Sequence, residues 1–265
     1  MLRALLKLFC GSSSVLLSLS VMYLKRLILL TMKTLKNRKS AAAFACVFFL
    51  SAIGLTSCLK DNNHYVVNPT ALLMVIQASP DAPSETIFLK PNQVNQSAFN
   101  YGDHLGYFNA YTGGRLVQLF GYGSSTLIAS DSIHLANNNA YSLFLANTYT
   151  KPDFVLLTDT LVRPASGKAT IRFVNVSAGS GNVDLVTSST ALVSNEPYKG
   201  ASVFTPVSGG SQYSFEVRAT GTTTVLASLD SINIRNGGVY TIWYHGSTTG
   251  TSPKLSADII ANAYY

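Results

Sequence analysis

Residues 127–135 read LIASDSIHL, and residues 225–234 read VLASLDSINI. The second phrase follows the first with one residue added and four replaced. Asn137 and Tyr141 follow the first copy as Asn236 and Tyr240 follow the second. Outward from these phrases, Gly113-Gly114 matches Gly209-Gly210, and Met74 to Ser79 matches Ile171 to Ser177. Tyr101-Gly102 corresponds loosely to Tyr198 to Gly200, and the offset stays near 96–99 residues throughout. A period this long means tandem domains, since solenoid units run about 20–50 residues. Arg163-Pro164-Ala165-Ser166-Gly167 reads as the linker.

The repeated unit is a β-domain. No stretch after residue 68 keeps apolar residues at i, i+3, i+4 and i+7 for three turns, as an amphipathic helix would. Short runs rich in Val, Ile, Tyr, Phe and Thr recur instead, divided by Gly, Asn, Ser and Pro. In residues 212–218, Tyr213, Phe215 and Val217 fall on one face and Gln212, Ser214, Glu216 and Arg218 on the other. That alternation marks a sheet with one wet face. Val239 to Tyr244 differs, with Tyr240, Ile242 and Tyr244 on one face and Trp243 on the other. Such a strand is central and covered on both sides. The expected fold is all-β: two tandem antiparallel β-sandwich domains, immunoglobulin-like or transthyretin-like, at residues 69–163 and 168–265.

An export segment precedes them. Lys33, Lys36, Arg38 and Lys39 follow Met32, then comes the apolar run from Ala41 to Leu55 and the phrase Leu55-Thr56-Ser57-Cys58. The run is shorter than the roughly 20 residues of a permanent span. Basic, apolar and small-residue regions in this order make residues 32–57 a lipoprotein signal peptide, with Cys58 as the lipidated residue. Residues 1–31 read as an extension upstream of the natural initiator, Met32. Residues 58–68 are a polar tether.

The leader also distorts the composition. The net charge of the whole chain is +7, but eight of its nineteen Lys and Arg precede Cys58 and none of its twelve Asp and Glu do. The mature part holds eleven basic groups against twelve acidic ones. That balance argues against a nucleic-acid partner, which needs a basic footprint. Cys10 and Cys46 leave with the leader and Cys58 takes the lipid, so the mature chain has no disulfide to form.

The phrase Ala78-Ser79-Pro80-Asp81-Ala82-Pro83, then Tyr101-Gly102-Asp103, a glycine pair and Leu156-Leu157-Thr158-Asp159 resemble a domain of unknown function, the DUF4397 type. The resemblance covers about residues 70–260. The second copy departs from it, with Ser177-Ala178-Gly179-Ser180-Gly181 in place of the opening phrase. It implies an extracytoplasmic bacterial protein, with the domain often in tandem, and transfers no active site. Leader and tether resemble those of Bacteroidota lipoproteins, where a stretch like Lys60-Asp61 implies display on the cell surface.

Residues that suggest chemistry mostly read as turns and strand ends. Asp81 lies between prolines, and both residue types build turns. Asp131, Ser132 and His134 have the residue types of a hydrolase triad, but neighbours along one strand cannot form its nucleophile–base–orienter line. Gly121 to Thr126 precedes a strand rather than a helix, so it is a hairpin turn and not a phosphate cradle. His64, His104, His134 and His245 lack metal-ligand spacing. No catalytic residue, metal ligand or cofactor is therefore expected. The aromatics Tyr107, Phe120, Tyr122 and Trp243 are the candidate patch. They serve either as a ligand platform or as the contact between the two domains, a choice that leans to the contact because tandem β-domains must cover such patches. The expected protein is non-enzymatic: a lipid-anchored outer-membrane protein, surface-exposed, with a binding, adhesion or structural role. The alternative is an accessory carbohydrate-binding lipoprotein of a glycan-uptake system, and a hydrolase comes third. Its expected partners are the membrane, through the lipid, and a glycan or envelope protein.

Overall fold

The computed structural model describes residues 68–248 and 254–265; the leader, Cys58 and Lys60-Asp61 lie outside the described residues. Val67–Tyr265 form one compact unit. Its regular structure, among the described residues, is strand alone. The first half contains β1 (Thr70–Gln77), β2 (Glu85–Leu89), β3 (Asn92–Gln93), β4 (His104–Tyr111), β5 (Gly113–Gly121), β6 (Leu127–Leu135), β7 (Ala140–Thr148) and β8 (Lys151–Asp159). The second contains β9 (Lys168–Asn175), β10 (Val183–Thr187), β11 (Thr190–Glu196), β12 (Thr205–Ser208), β13 (Ser211–Ala219), β14 (Val225–Ile234), β15 (Gly238–His245) and β16 (Ser256–Tyr264).

Each half is a sandwich of two four-stranded sheets. The first pairs β4-β1-β7-β8 with β3-β2-β5-β6, and the second pairs β12-β9-β15-β16 with β11-β10-β13-β14. The ladders are antiparallel except for one parallel pair per sandwich, β1 with β7 and β9 with β15. Parallel neighbours need a long crossover, and the strands between them supply it.

Register fixes how the copies correspond. Ile87 pairs Leu119 and Leu185 pairs Val217, each residue 98 places after its counterpart. Val117 and Leu119 thus correspond to Phe215 and Val217, and Gly113 to Ser211. The matching of Gly113-Gly114 with Gly209-Gly210 is therefore displaced by two residues. Both pairs serve the same turn from different positions in it. The residue added in the second copy is absorbed at Asp230–Ser231, where the β13–β14 register shifts and Ser231 takes φ 59°. A bulge of this kind leaves the strands on either side in phase with their partners.

Three cores result, because the β1/β7 and β9/β15 strands bury both faces. Leu73, Val75, Leu143 and Leu145 meet Ile87 and Leu119 inside the first sandwich. Ile171, Phe173, Ile242 and Tyr244 meet Leu185 and Val217 inside the second. The alternate residues Met74, Ile76 and Phe144 meet Val174, Trp243 and Ile260 in a seam between the sandwiches. Strands covered on both faces read as near-continuous apolar runs, as in ALLMVI of β1.

Candidate functional site

The outer sheet of the first sandwich carries an aromatic face. Thr86 pairs Phe120 and Phe88 pairs Gln118, so the two phenylalanines are diagonal neighbours on one side of the sheet. Their rings meet edge to face, 5.5 Å apart at 78°. Lys90 Nζ lies 4.9 Å from the Phe88 ring centre and 5.6 Å from that of Phe120. Leu116, on the same side of β5, is 40 % exposed. Tyr122 stands in the turn that follows, 49 % exposed.

The second sandwich serves as an internal reference. Through the same register Phe88 corresponds to Val186, Lys90 to Ser188, Leu116 to Ser214, Gln118 to Glu216 and Phe120 to Arg218. Arg218 pairs with Glu216 there. Asp184, the counterpart of Thr86, accepts from the backbone N–H of Asn195 at 2.7 Å and from Thr220 Oγ1 at 3.0 Å. One fold thus presents an aromatic outer face in the first copy and a polar, internally paired one in the second.

The other two aromatics of the predicted patch lie in the seam. Trp243 is fully buried, stacked on His245 with ring centres 3.9 Å apart and tilted against Phe144. Tyr107 Oη donates to Asp159 Oδ2 at 2.5 Å and accepts from Asn262 Nδ2 at 3.0 Å. Burial, then the charge of Asp159, pushes the Tyr107 phenol far above its ordinary range, so it remains a donor. Ser142 Oγ donates to the same carboxylate at 2.7 Å, and Arg172 Nη1 lies 2.7 Å from its other oxygen. Arg172 also donates to Thr241 Oγ1 at 3.1 Å, and its guanidinium sits 4.8 Å over the Phe204 ring. Arg172, Phe88 and Lys90 were not among the residues marked in the sequence, and Asp159 was marked only as the end of the phrase Leu156 to Asp159.

Other motifs find structural roles. Asp81 Oδ1 accepts from the backbone N–H of Tyr149 at 2.8 Å and from Ser79 Oγ at 3.3 Å, tying the opening loop to the β7–β8 turn. The turn bond from Ala82 N–H to the Ser79 carbonyl recurs from Ser180 to Ser177, both at 3.3 Å. Asp131 accepts from the N–H of Ser132 at 2.7 Å, and His134 is exposed on the same edge strand. Gly121 to Thr126 closes the β5–β6 hairpin. His245 bridges the sandwiches: Nε2 lies 2.8 Å from Asp258 Oδ2, and Nδ1 contacts the Tyr101 hydroxyl. Burial, then the charge of Asp258, raises the Tyr101 phenol to about 12, which keeps it protonated and unsuited to act as a base at neutral pH.

Compared with known families, residues 71–186 match the domain of unknown function DUF4397. The match runs from β1 into β10, across the whole first sandwich and the opening strands of the second. No curated protein matches the chain. Among solved structures it is similar to CBMbc, a family CBM26 module of Eubacterium rectale Amy13K crystallised with maltoheptaose, at 9 % identity. That likeness covers 73 % of this chain and 97 % of the other with a TM-score of 0.23, and it carries no argument about the ligand of this protein.

Proposed function

We propose that this protein is anchored by lipid at Cys58 on the outer membrane, faces the cell exterior, and binds a ligand without transforming it. The observation that carries the binding reading is the contrast between the copies. Phe88, Leu116, Phe120 and Lys90 keep an apolar, cation-topped face where the second copy has Val186, Ser214, Arg218 and Ser188. Half-buried Phe88 and Phe120 beside the exposed Leu116 leave apolar surface in water that the second copy lacks on this face, and such a patch points to a partner. An aromatic pair edged by Lys90 and Gln118 favours a glycan. The C–H face of a sugar packs on the rings, and its hydroxyls take hydrogen bonds from the ammonium and the amide.

Residues 58–265 should retain glycans or envelope proteins in a pull-down, and the Phe88→Ala/Phe120→Ala pair should lose them. Glu216→Ala/Arg218→Ala, on the same face of the second copy, should bind as the parent does. Equal retention by both variants would remove the face from the proposal. Anchoring is tested separately. Cys58→Ala should accumulate as unprocessed precursor without lipid label, and Lys60→Ala/Asp61→Ala should become protected from protease added to intact cells.

A further inference from the structure

The copies also differ on the flank where the edge strands of the two sheets face each other. In the second sandwich that flank is closed. β11 runs seven residues, and its Leu192 and Val193 pack on the core. Tyr213 reaches from β13 to β12, donating through Oη to the Ser208 carbonyl at 3.0 Å. In the first sandwich β3 is only two residues long. The register puts Arg115 where Tyr213 stands and Tyr111 where Ser208 stands. A cleft of about 420 Å³ remains between the sheets. Leu89, Val94, Phe108 and Ala110 give it apolar walls, and Asn92 and Arg115 are among its polar lining. Its volume falls within the range of small-molecule sites.

Arg115 is the group that this cleft leaves unanswered. It is charged at any physiological pH. Among the described residues no carboxylate lies within ion-pair distance of it. One Nη donates to the Lys90 carbonyl, and the guanidinium carbon lies 6.0 Å from the Tyr111 ring centre. Its Nε is buried and has no acceptor. That nitrogen is closed off from solvent, so the cleft meets the rest of the side chain, and a carboxylate is the partner that suits a guanidinium. Apolar walls beside a single unpaired cation define the ligand class.

We propose that the β3–β4 cleft of the first sandwich binds an aliphatic carboxylate, with Arg115 as its counter-ion and the apolar walls holding its chain. This site is separate from the Phe88–Phe120 face and does not depend on its role.

The test is calorimetric titration of residues 58–265 with sodium decanoate, below its micellar concentration, against decan-1-ol and acetate. Decanoate should bind one to one. Arg115→Met should weaken it about 10- to 100-fold, as expected for loss of a charged hydrogen-bond pair, and Arg115→Lys should weaken it less. Decan-1-ol should bind the parent no better than decanoate binds Arg115→Met, and acetate should bind more weakly still. Phe88→Ala/Phe120→Ala should leave decanoate binding unchanged, which separates this site from the outer face. No heat of binding with decanoate, or equal affinity for decanoate and decan-1-ol, would overturn the proposal. Should Arg115→Met fail to fold, Asn92→Trp fills the cleft and keeps the cation. Loss of decanoate binding in that variant supports the site, and retention rejects it.

Discussion

Arg172 occupies in the second sandwich the place that Met74 fills in the first, and Asp159 is matched across the seam by Asn262. One copy therefore supplies a buried cation and the other a buried anion, with side chains 3 % and 0 % exposed. Removing water from two charges costs several kcal/mol each, and close pairing offsets most of it. Removing one partner leaves the other charge buried without it. Arg172→Met alone should lower unfolding free energy by about 3–5 kcal/mol, read from urea denaturation. Arg172→Met with Asp159→Asn should recover most of that loss, since neither charge then remains. A second buried acid responds to pH. Glu85 is 2 % exposed and accepts from Gln77 Nε2 at 2.5 Å. Burial pushes its carboxyl from the ordinary 4.5 up to about 7, with the Gln77 bond pulling the other way. Between those values the native state holds a proton that the unfolded chain has released. This contribution is therefore full below pH 4.5 and is lost as pH rises through 7. The loss amounts to about 3 kcal/mol. Glu85→Gln should flatten this part of the melting temperature's pH profile, and an unchanged slope would assign it to other groups.

At the scale of the element, β15 shows what alternation can and cannot reveal. Its apolar residues on both faces were legible as a central strand, and all eight of its residues are buried. Tyr240, Ile242 and Tyr244 enter the second core while Trp243 enters the seam. For the Trp243 face the sequence left a ligand platform and the contact between the domains as alternatives, leaning to the contact, and alternation could name no facing residues because the covering sheet comes from the other copy. Trp243→Ala should cost about 3–5 kcal/mol through the cavity left beside Phe144, whereas Tyr122→Ala, on an exposed turn, should change stability by less than about 0.5 kcal/mol. Comparing the two melts tells the buried aromatic from the exposed one. The all-β reading and the repeat came from local signals, period-two alternation and turn residues, which survive without tertiary knowledge. The outer aromatic face did not. Phe120 was marked, but Phe88 lies 32 residues before it, and only the β2–β5 register brings the rings together. Lys90 and Arg115 were likewise silent, since a lone basic residue beside a strand signals nothing until its surroundings are known. The glycine pairs misled by two places because equivalent turns can place their glycines at different positions.

For the whole molecule, the seam decides whether two sandwiches are two folding units. The near-constant offset and the Pro164–Gly167 linker suggest halves that separate, yet the seam is a third apolar core built from both. Its two sides correspond residue by residue: Ser142 with Thr241, Phe144 with Trp243, Tyr107 with Phe204. A patch that meets its own structural repeat across a seam has the geometry of an isologous contact, as in a two-fold dimer. Residues 166–265 alone would expose Val174, Val176, Trp243 and Ile260 and leave Arg172 without Asp159. The intact pair should therefore unfold in a single cooperative transition. The fragment should either melt well below it or cover the same surface by self-association. Light scattering coupled to size exclusion distinguishes these outcomes, with Trp243→Ser in the fragment as the control that should abolish the association. A monomeric fragment melting as high as the pair would show instead that the seam adds nothing to stability. The outer aromatic face and the β3–β4 cleft would then sit on a domain free to move against its neighbour.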